Sequence, residues 1–575
     1  MNASFLTGAA TLRALLILGF ALVALGLSNG EVLAQFSGDR IREALFFFTV
    51  TPALAWVLAR LTRLDFARAL ILLLLAVYFG MAGLSPTIAT VLTALAAIAI
   101  GSLLLPEDAE ARPWLALLIG FACLAGALGW LLPYSMHRFG VYLALCLVPI
   151  VARRRVLGAL LLELYAWWRA PRLLGFDGTA AVLVIALVAT SAWLPTAQPD
   201  DLSYHLGLPW QLTTLAHYRF DAESQVWALA PWATDVLQAV VQVLARAEGR
   251  GALNLAWLLL VLHLCWALLA RFEVPVRWRW LGLALFASQP LVHGLVQSMQ
   301  AELPLTATLL ALVLLIDECD TPERSRARVL PIAALAGFAI GIKLTAAAFL
   351  LPLALWYFWR ARPAWPRTLA GGALLVLLTG CSSYVYAYML TGNPVLPLYN
   401  DIFRSSYFGL ERMMDAHYTG PLAWTAPYDV VIHTSRFQEA RDGSAGFQWL
   451  AFLGLVLPAL AWPRTRAFAL AALAAIAILF SQLHYLRYLI PALTLLGLVY
   501  VAVLAAGSDL ALHCNGDLTE MRDAAAGSAP LEGRARERFD AAIKITKATR
   551  PFDSAAAQVQ LAKVLAFAAG RAESV

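Results

Sequence analysis

The segment Gln198-Pro199-Asp200-Asp201-Leu202-Ser203-Tyr204-His205 holds the densest chemistry in the chain. It follows an apolar run, Ala180 to Leu194, of the kind that crosses a bilayer. Two adjacent carboxylates at such an exit avoid the full cost of a mid-bilayer charge, yet keep negative charge beside a low-dielectric wall. That setting suits a base, and Asp200 is the candidate. Asp201, Tyr204 and His205 are placed to orient it or its substrate. The competing reading is that the pair caps the following helix, a position Asp favours, although one Asp suffices for a cap.

Other candidates lie far away in the sequence, each at the edge of an apolar run. Glu302, in Ala301-Glu302-Leu303-Pro304, reads as a second acid or as a carboxylate favoured by a helix N-terminal dipole. Lys343, in Gly341-Ile342-Lys343-Leu344-Thr345, is the sole lysine before the C-terminal tail. Its compact ammonium suits a phosphate oxygen, with snorkelling to an interface as the alternative. Arg487 precedes the last apolar run and can grip a phosphate bidentately. Its neighbours Tyr488 and His484 read as further substrate contacts, or equally as a belt aromatic and a solvated loop residue. Arg404 sits in a long polar segment where an acceptor could be met. Trp210 and Trp227 read first as interface anchors and second as sugar platforms.

The elements that must position these residues follow from composition. Apolar residues make up 61% of the chain and charged ones only 14%, and the apolar residues come in blocks of about 15 to 22, enough to cross a hydrocarbon core. An all-α, polytopic membrane protein is expected. The formal charge of +6 comes from arginines in short loops, so no nucleic-acid surface is implied. Six cysteines show no metal spacing.

Placing Arg60 to Arg68 and Arg153 to Arg172 in the cytoplasm satisfies the positive-inside rule and puts Asp200 outside. Keeping Arg271, Arg360 and Arg464 inside as well requires that Trp232 to Leu244 lie flat on the outer surface as an amphipathic juxtamembrane helix. Spans are then expected at Leu281 to Val296 and Trp449 to Trp462, among others, for a total of about 16 transmembrane helices with both termini cytoplasmic. Three regions result: additional N-terminal helices over 1–177, a membrane core over 178–507, and a charged, Ala-rich cytoplasmic tail over 508–575.

The order of Gln198-Pro199-Asp200-Asp201, Arg250 before a span, Ala301-Glu302-Leu303-Pro304, Gly341-Ile342-Lys343-Leu344-Thr345 and Arg487-Tyr488-Leu489-Ile490-Pro491 resembles the GT-C superfamily. These are integral-membrane glycosyltransferases that use polyprenyl-phosphate sugars, among them the protein O-mannosyltransferases and the bacterial enzyme that adds aminoarabinose to lipid A. Thr391-Gly392-Asn393-Pro394-Val395-Leu396-Pro397-Leu398 also resembles a segment common in bacterial members. Glu302 stands where the family often has Asp, and about six helices precede the resembling part.

The resemblance implies a bacterial inner-membrane enzyme with a GT-C-like core and a periplasmic active site. It would pass a sugar, with inversion, from a polyprenyl-phosphate donor to a hydroxyl of a periplasmic glycan, lipid or protein. Such a transfer needs a base for the hydroxyl proton, cations for the leaving phosphate and carboxylates that tolerate oxocarbenium-like charge. Asp200 is the expected base, Glu302 the second acid, Lys343 and Arg487 the phosphate contacts, and Arg250, matched by family position to an outer-face arginine, a further substrate contact. No cofactor is expected; a divalent metal on Asp200, Asp201 and Glu302 is the disfavoured alternative. A transporter or flippase of lipid-linked glycans is the competing class, and a non-catalytic assembly subunit a third.

Overall fold

The computed structural model describes residues 9–28, 31–34, 38–169, 174–362, 365–413 and 415–525. Among them there is no strand, and nine helices are long and apolar enough to cross a membrane, or up to eleven if two sharply bent helix pairs each count as one span. Most of the expected tail, 508–575, lies outside the described residues. The backbone divides into two compact units: 14–502, which contains every candidate residue, and a second made of 1–13 with 503–575.

Within the larger unit, the elements that matter to the site are taken in chain order. Helices α1 (Leu84–Gly101) and α2 (Arg112–Leu131) pack with their backbones in contact: a Cβ added at Gly120 would meet the Ala97 carbonyl oxygen at 1.8 Å. Small residues permit that approach in apolar surroundings. Helix α3 (Phe176–Ala189) leads into the Asp200 segment, and α4 (Ala233–Ala245) returns against α1 and α2. The N-terminal helices thus form part of the wall around the expected core.

Helix α4 departs from expectation. Every residue in it except Gln242 is buried, so it is enclosed by protein on all sides instead of lying flat on a surface. Two of its polar positions have side-chain partners: buried Asp235 meets His205, and the more exposed Gln242 amide donates to the Thr213 hydroxyl at 3.4 Å.

After α5 (Arg250–Arg271), the stretch expected as one span from Leu281 to Val296 is broken. Pro290 has no N–H to continue a helix and drives its predecessor out of the helical region; Gln289 has φ −68° and ψ 125°. The chain restarts as α6 (Pro290–Gln297), breaks again at Ser298–Ala301, and turns by 110° into α7 (Glu302–Asp317). Helix α7 is buried from Glu302 through Ile316 and forms the central post of the unit. An apolar sequence without a polar face is what such a position demands.

Helices α8 (Pro322–Ile342) and α9 (Ala346–Ala361) pack against it, α10 (Pro366–Gly380) packs behind α8, and α11 (Pro463–Phe480) and the start of α12 (Ile490–Ala525) close the side next to α9. The run Trp449 to Trp462, also expected as a span, is three short helical pieces, Gln448–Ala451, Leu453–Leu455 and Val456–Ala461. Pro458 interrupts its hydrogen bonding, and Gly454 packs against the Leu15 side chain.

Candidate active site

Three loops and one helix start build the site. The Asp200 segment enters a π-helical turn, Asp201–His205, closed by the Leu206 N–H on the Asp201 carbonyl at 3.0 Å, and the one extra residue in that turn re-aims the side chains. The break Ser298–Ala301 presents Glu302, the break after α8 presents Lys343, and the turn Leu486–Leu489 presents Arg487.

These distant residues meet. The Arg487 Nη2 donates to the Asp200 Oδ2 at 3.1 Å, and its Nε lies 3.3 Å from the Glu302 Oε1. The same Glu302 oxygen accepts from the Lys343 Nζ at 2.6 Å. Lys343 also sits 4.0 Å from the centroid of the Tyr488 ring, a cation–π contact, while the Arg487 guanidinium lies over Tyr485 and Tyr488. The order of the chain of charges is therefore Asp200, Arg487, Glu302, Lys343. Glu302 is 1% exposed at its side chain, whereas the Asp200 side chain is 43% exposed, so solvent or substrate reaches the cluster at Asp200.

The bland readings of these residues do not describe what they touch. Asp200 makes no capping hydrogen bond. Glu302 bonds cations instead of merely decorating a helix start, and Lys343 turns inward instead of snorkelling.

Asp201 is placed differently from Asp200. It is fully buried, its Oδ2 accepting from the Thr196 hydroxyl at 2.5 Å and from the Met299 N–H at 2.7 Å. Burial pushes its carboxyl above the ordinary range, and the two hydrogen bonds only partly offset that. It pins the loop that carries Asp200 to the break that carries Glu302. Arg250 fastens the same two places from the other side, donating to the Leu194 carbonyl at 2.7 Å and to the Gln297 carbonyl, with Glu248 at 2.8 Å. Its guanidinium is divided between two backbone carbonyls and the Glu248 carboxylate, none of them a member of the charge chain.

His205 is buried, with Nδ1 2.9 Å from both oxygens of Asp235, and the Tyr204 ring lies against it at 4.1 Å. Burial alone would lower the imidazole pKa, but the carboxylates of Asp235, Asp201 and Asp200 hold it above its usual value. Burial and the Asp200 charge raise the Tyr204 phenol, which keeps it a neutral donor beside Asp200. Trp227 stacks on Tyr204 at 6.2 Å, while Trp210 is exposed. His484 is anchored through its N–H to the Tyr418 carbonyl at 2.8 Å, its ring against Phe480. Arg404 is exposed at φ 56° and belongs to a turn organised by Asn393 and Asn400; the structure does not bring it to the cluster.

Four residues that sequence reasoning passed over complete the surroundings. Gln438 accepts from the Arg487 backbone N–H at 3.0 Å, Glu439 accepts from the Tyr485 hydroxyl, and Gln300 donates to Gln198 at 3.1 Å. With Arg487, Gln198, Gln300, Gln438 and Glu439 line a cavity of about 120 Å³. A Gln-Glu pair in a polar loop carries no sequence signal of its own. Asp235, the fourth, is a polar position in an otherwise apolar helix, which by itself gives no sign of its partner His205.

The arrangement can hold one proton-accepting carboxylate open to a ligand, with two cations fixed behind it by a buried acid. Arg487 and Lys343 retain N–H donors not used by Asp200 or Glu302, so a phosphate oxygen could be received without breaking the cluster. Among the described residues, no three His, Cys, Asp or Glu side chains converge as metal ligands. No family model, no curated protein and no solved structure matches this chain.

Proposed function

We propose that the protein is a bacterial inner-membrane glycosyltransferase, with a GT-C-like core in a bundle of up to eleven long apolar spans and four shorter apolar helices among the described residues. It moves a sugar from a polyprenyl-phosphate carrier to a hydroxyl on a periplasmic glycan, lipid or protein. The observation that carries this reading is the convergence of Asp200, Arg487, Glu302 and Lys343, drawn from four distant stretches, into one ion-paired cluster. The sidedness rests on charge: Arg271, Arg360, Arg464 and Arg466 gather at the opposite helix ends. The positive-inside rule puts that end in the cytoplasm, leaving Asp200 at the periplasmic rim.

In this mechanism Asp200 accepts the acceptor hydroxyl proton as the oxygen attacks the anomeric carbon from the face opposite the phosphate, and the carbon–oxygen bond to the phosphate breaks. Lys343 and Arg487 take up the charge growing on the leaving phosphate. Glu302 keeps both cations in place, and Asp201 and Arg250 hold the loops. Tyr204 and His205 steady the acceptor side.

The test is transfer from a panel of labelled polyprenyl-phosphate sugars by purified protein. Transfer from at least one donor, abolished in Asp200→Asn, is expected; no transfer from any donor by folded wild-type protein would remove the proposal. A second reading, a transporter of lipid-linked glycans, is favoured by the 110° helix break that bears Glu302, since broken helices line translocation sites. Movement of labelled lipid-linked sugar across vesicles without transfer would select it.

A further inference from the structure

At the other end of α7, a rise of about 22 Å from Glu302, the structure holds a second and larger cavity. Its volume is about 830 Å³, and it lies between α9 and α11, bounded by the last residues of α5 and α7. The walls are apolar, with Leu355, Trp359 and Leu470 all more than half exposed on the outer side. Four arginines line it, Arg271, Arg360, Arg464 and Arg466, against two acids, Glu273 and Asp317. The balance is two positive charges in excess by that count.

The acids are already engaged. Asp317 accepts from Arg271 at 2.7 Å and lies 3.5 Å from Arg360, and Glu273 accepts from Arg464 at 2.7 Å. Arg466 reaches no carboxylate among the described residues; its guanidinium donates to the carbonyls of Leu460 and Ala461. Two buried donors in the lining residues, the Arg360 Nε and the Trp356 Nε1, have no hydrogen-bond acceptor. The positive end of the α11 dipole, at Pro463, opens on the same space.

We infer that this cavity binds an anionic membrane phospholipid, its phosphate at Arg464, Arg466 and the start of α11 and its chains along Leu355, Trp359 and Leu470. A cationic floor with apolar walls matches a phosphate joined to hydrocarbon better than either alone. Free phosphate would leave the apolar wall bare. A zwitterionic lipid would set its own cation against the arginines.

Unfolding of the purified full chain in detergent, with added dioleoyl phosphatidylglycerol, dioleoyl phosphatidylcholine or inorganic phosphate, tests this by ligand linkage. Phosphatidylglycerol is expected to raise the midpoint well beyond the other two, with apparent affinity falling at least about tenfold in Arg464→Gln/Arg466→Gln. Should that double variant not fold, Ala474→Trp, which fills the wall and leaves every charge, is expected to lose the same response. Equal responses to the two lipids, an equal response to phosphate, or a full phosphatidylglycerol response in a folded variant would overturn the inference.

Discussion

Both ends of the central helix α7 carry buried ion networks, and the one centred on Arg328 and Glu318 is closed more completely than the one centred on Arg487 and Glu302. At the Asp317 end, Arg328 is 1% exposed and spends its guanidinium on Glu318 at 2.6 Å, on Asp108 at 3.2 Å and on the Arg324 carbonyl. The second oxygen of Glu318 accepts from the Glu110 N–H at 3.0 Å. At the Glu302 end, by contrast, the Glu302 Oε2, the Arg487 Nε and the Asp201 Oδ1 are buried without a hydrogen-bond partner. Unsatisfied buried polar atoms cost stability and are tolerated where something else is gained. A saturated network holds helices together; an unsaturated one beside an open carboxylate is prepared to take a ligand.

The sharpest way to break that contrast is to remove the central cation of each network. Arg487→Gln strands Asp200 and Glu302 and should cut sugar transfer by roughly 10²-fold or more while also destabilising the fold. Transfer at wild-type rate would end the distinction. Arg328→Gln should lower unfolding stability by about 3–5 kcal/mol, because Glu318 stays buried without its counter-ion, yet leave transfer per folded molecule unchanged. A matching loss of turnover would show the two ends to be coupled.

Smaller effects sharpen the picture within the site. The raised His205 pKa means that its pairing with Asp235 stabilises the fold fully below the ordinary value of 6.5 and loses that contribution as pH rises through the folded-state value. The gap in thermal midpoint between wild type and Asp235→Asn should thus be widest in acid and narrow in base; a constant gap would speak against it. Thr196→Val removes one hydrogen bond to Asp201 and should cost about 1 kcal/mol in denaturant unfolding with a modest loss of transfer.

The apolar blocks made the helical class legible, and residues whose types were out of place at block edges made the cluster legible: a lone lysine at 343, an acid at 302, a double acid at 200. Their meeting depended on breaks that the hydropathy pattern hides. Pro290 and the Ser298–Ala301 turn split one apolar run and swing Glu302 towards Arg487, which periodicity cannot foretell. Burial was equally invisible. Asp200 and Asp201 are adjacent letters, yet one stays open to solvent and the other ties two loops, a difference set by Thr196 and by a backbone N–H about a hundred residues away. Arg250, expected among the substrate contacts, became a clamp on backbone carbonyls for the same reason.

Single-turnover transfer by Asp200→Asn, with donor binding measured on the same sample, addresses the role of that open carboxylate most directly. Donor affinity close to wild type with a chemical step slowed by roughly 10²- to 10⁴-fold is the outcome expected of a lost general base. An unaltered chemical step would contradict it.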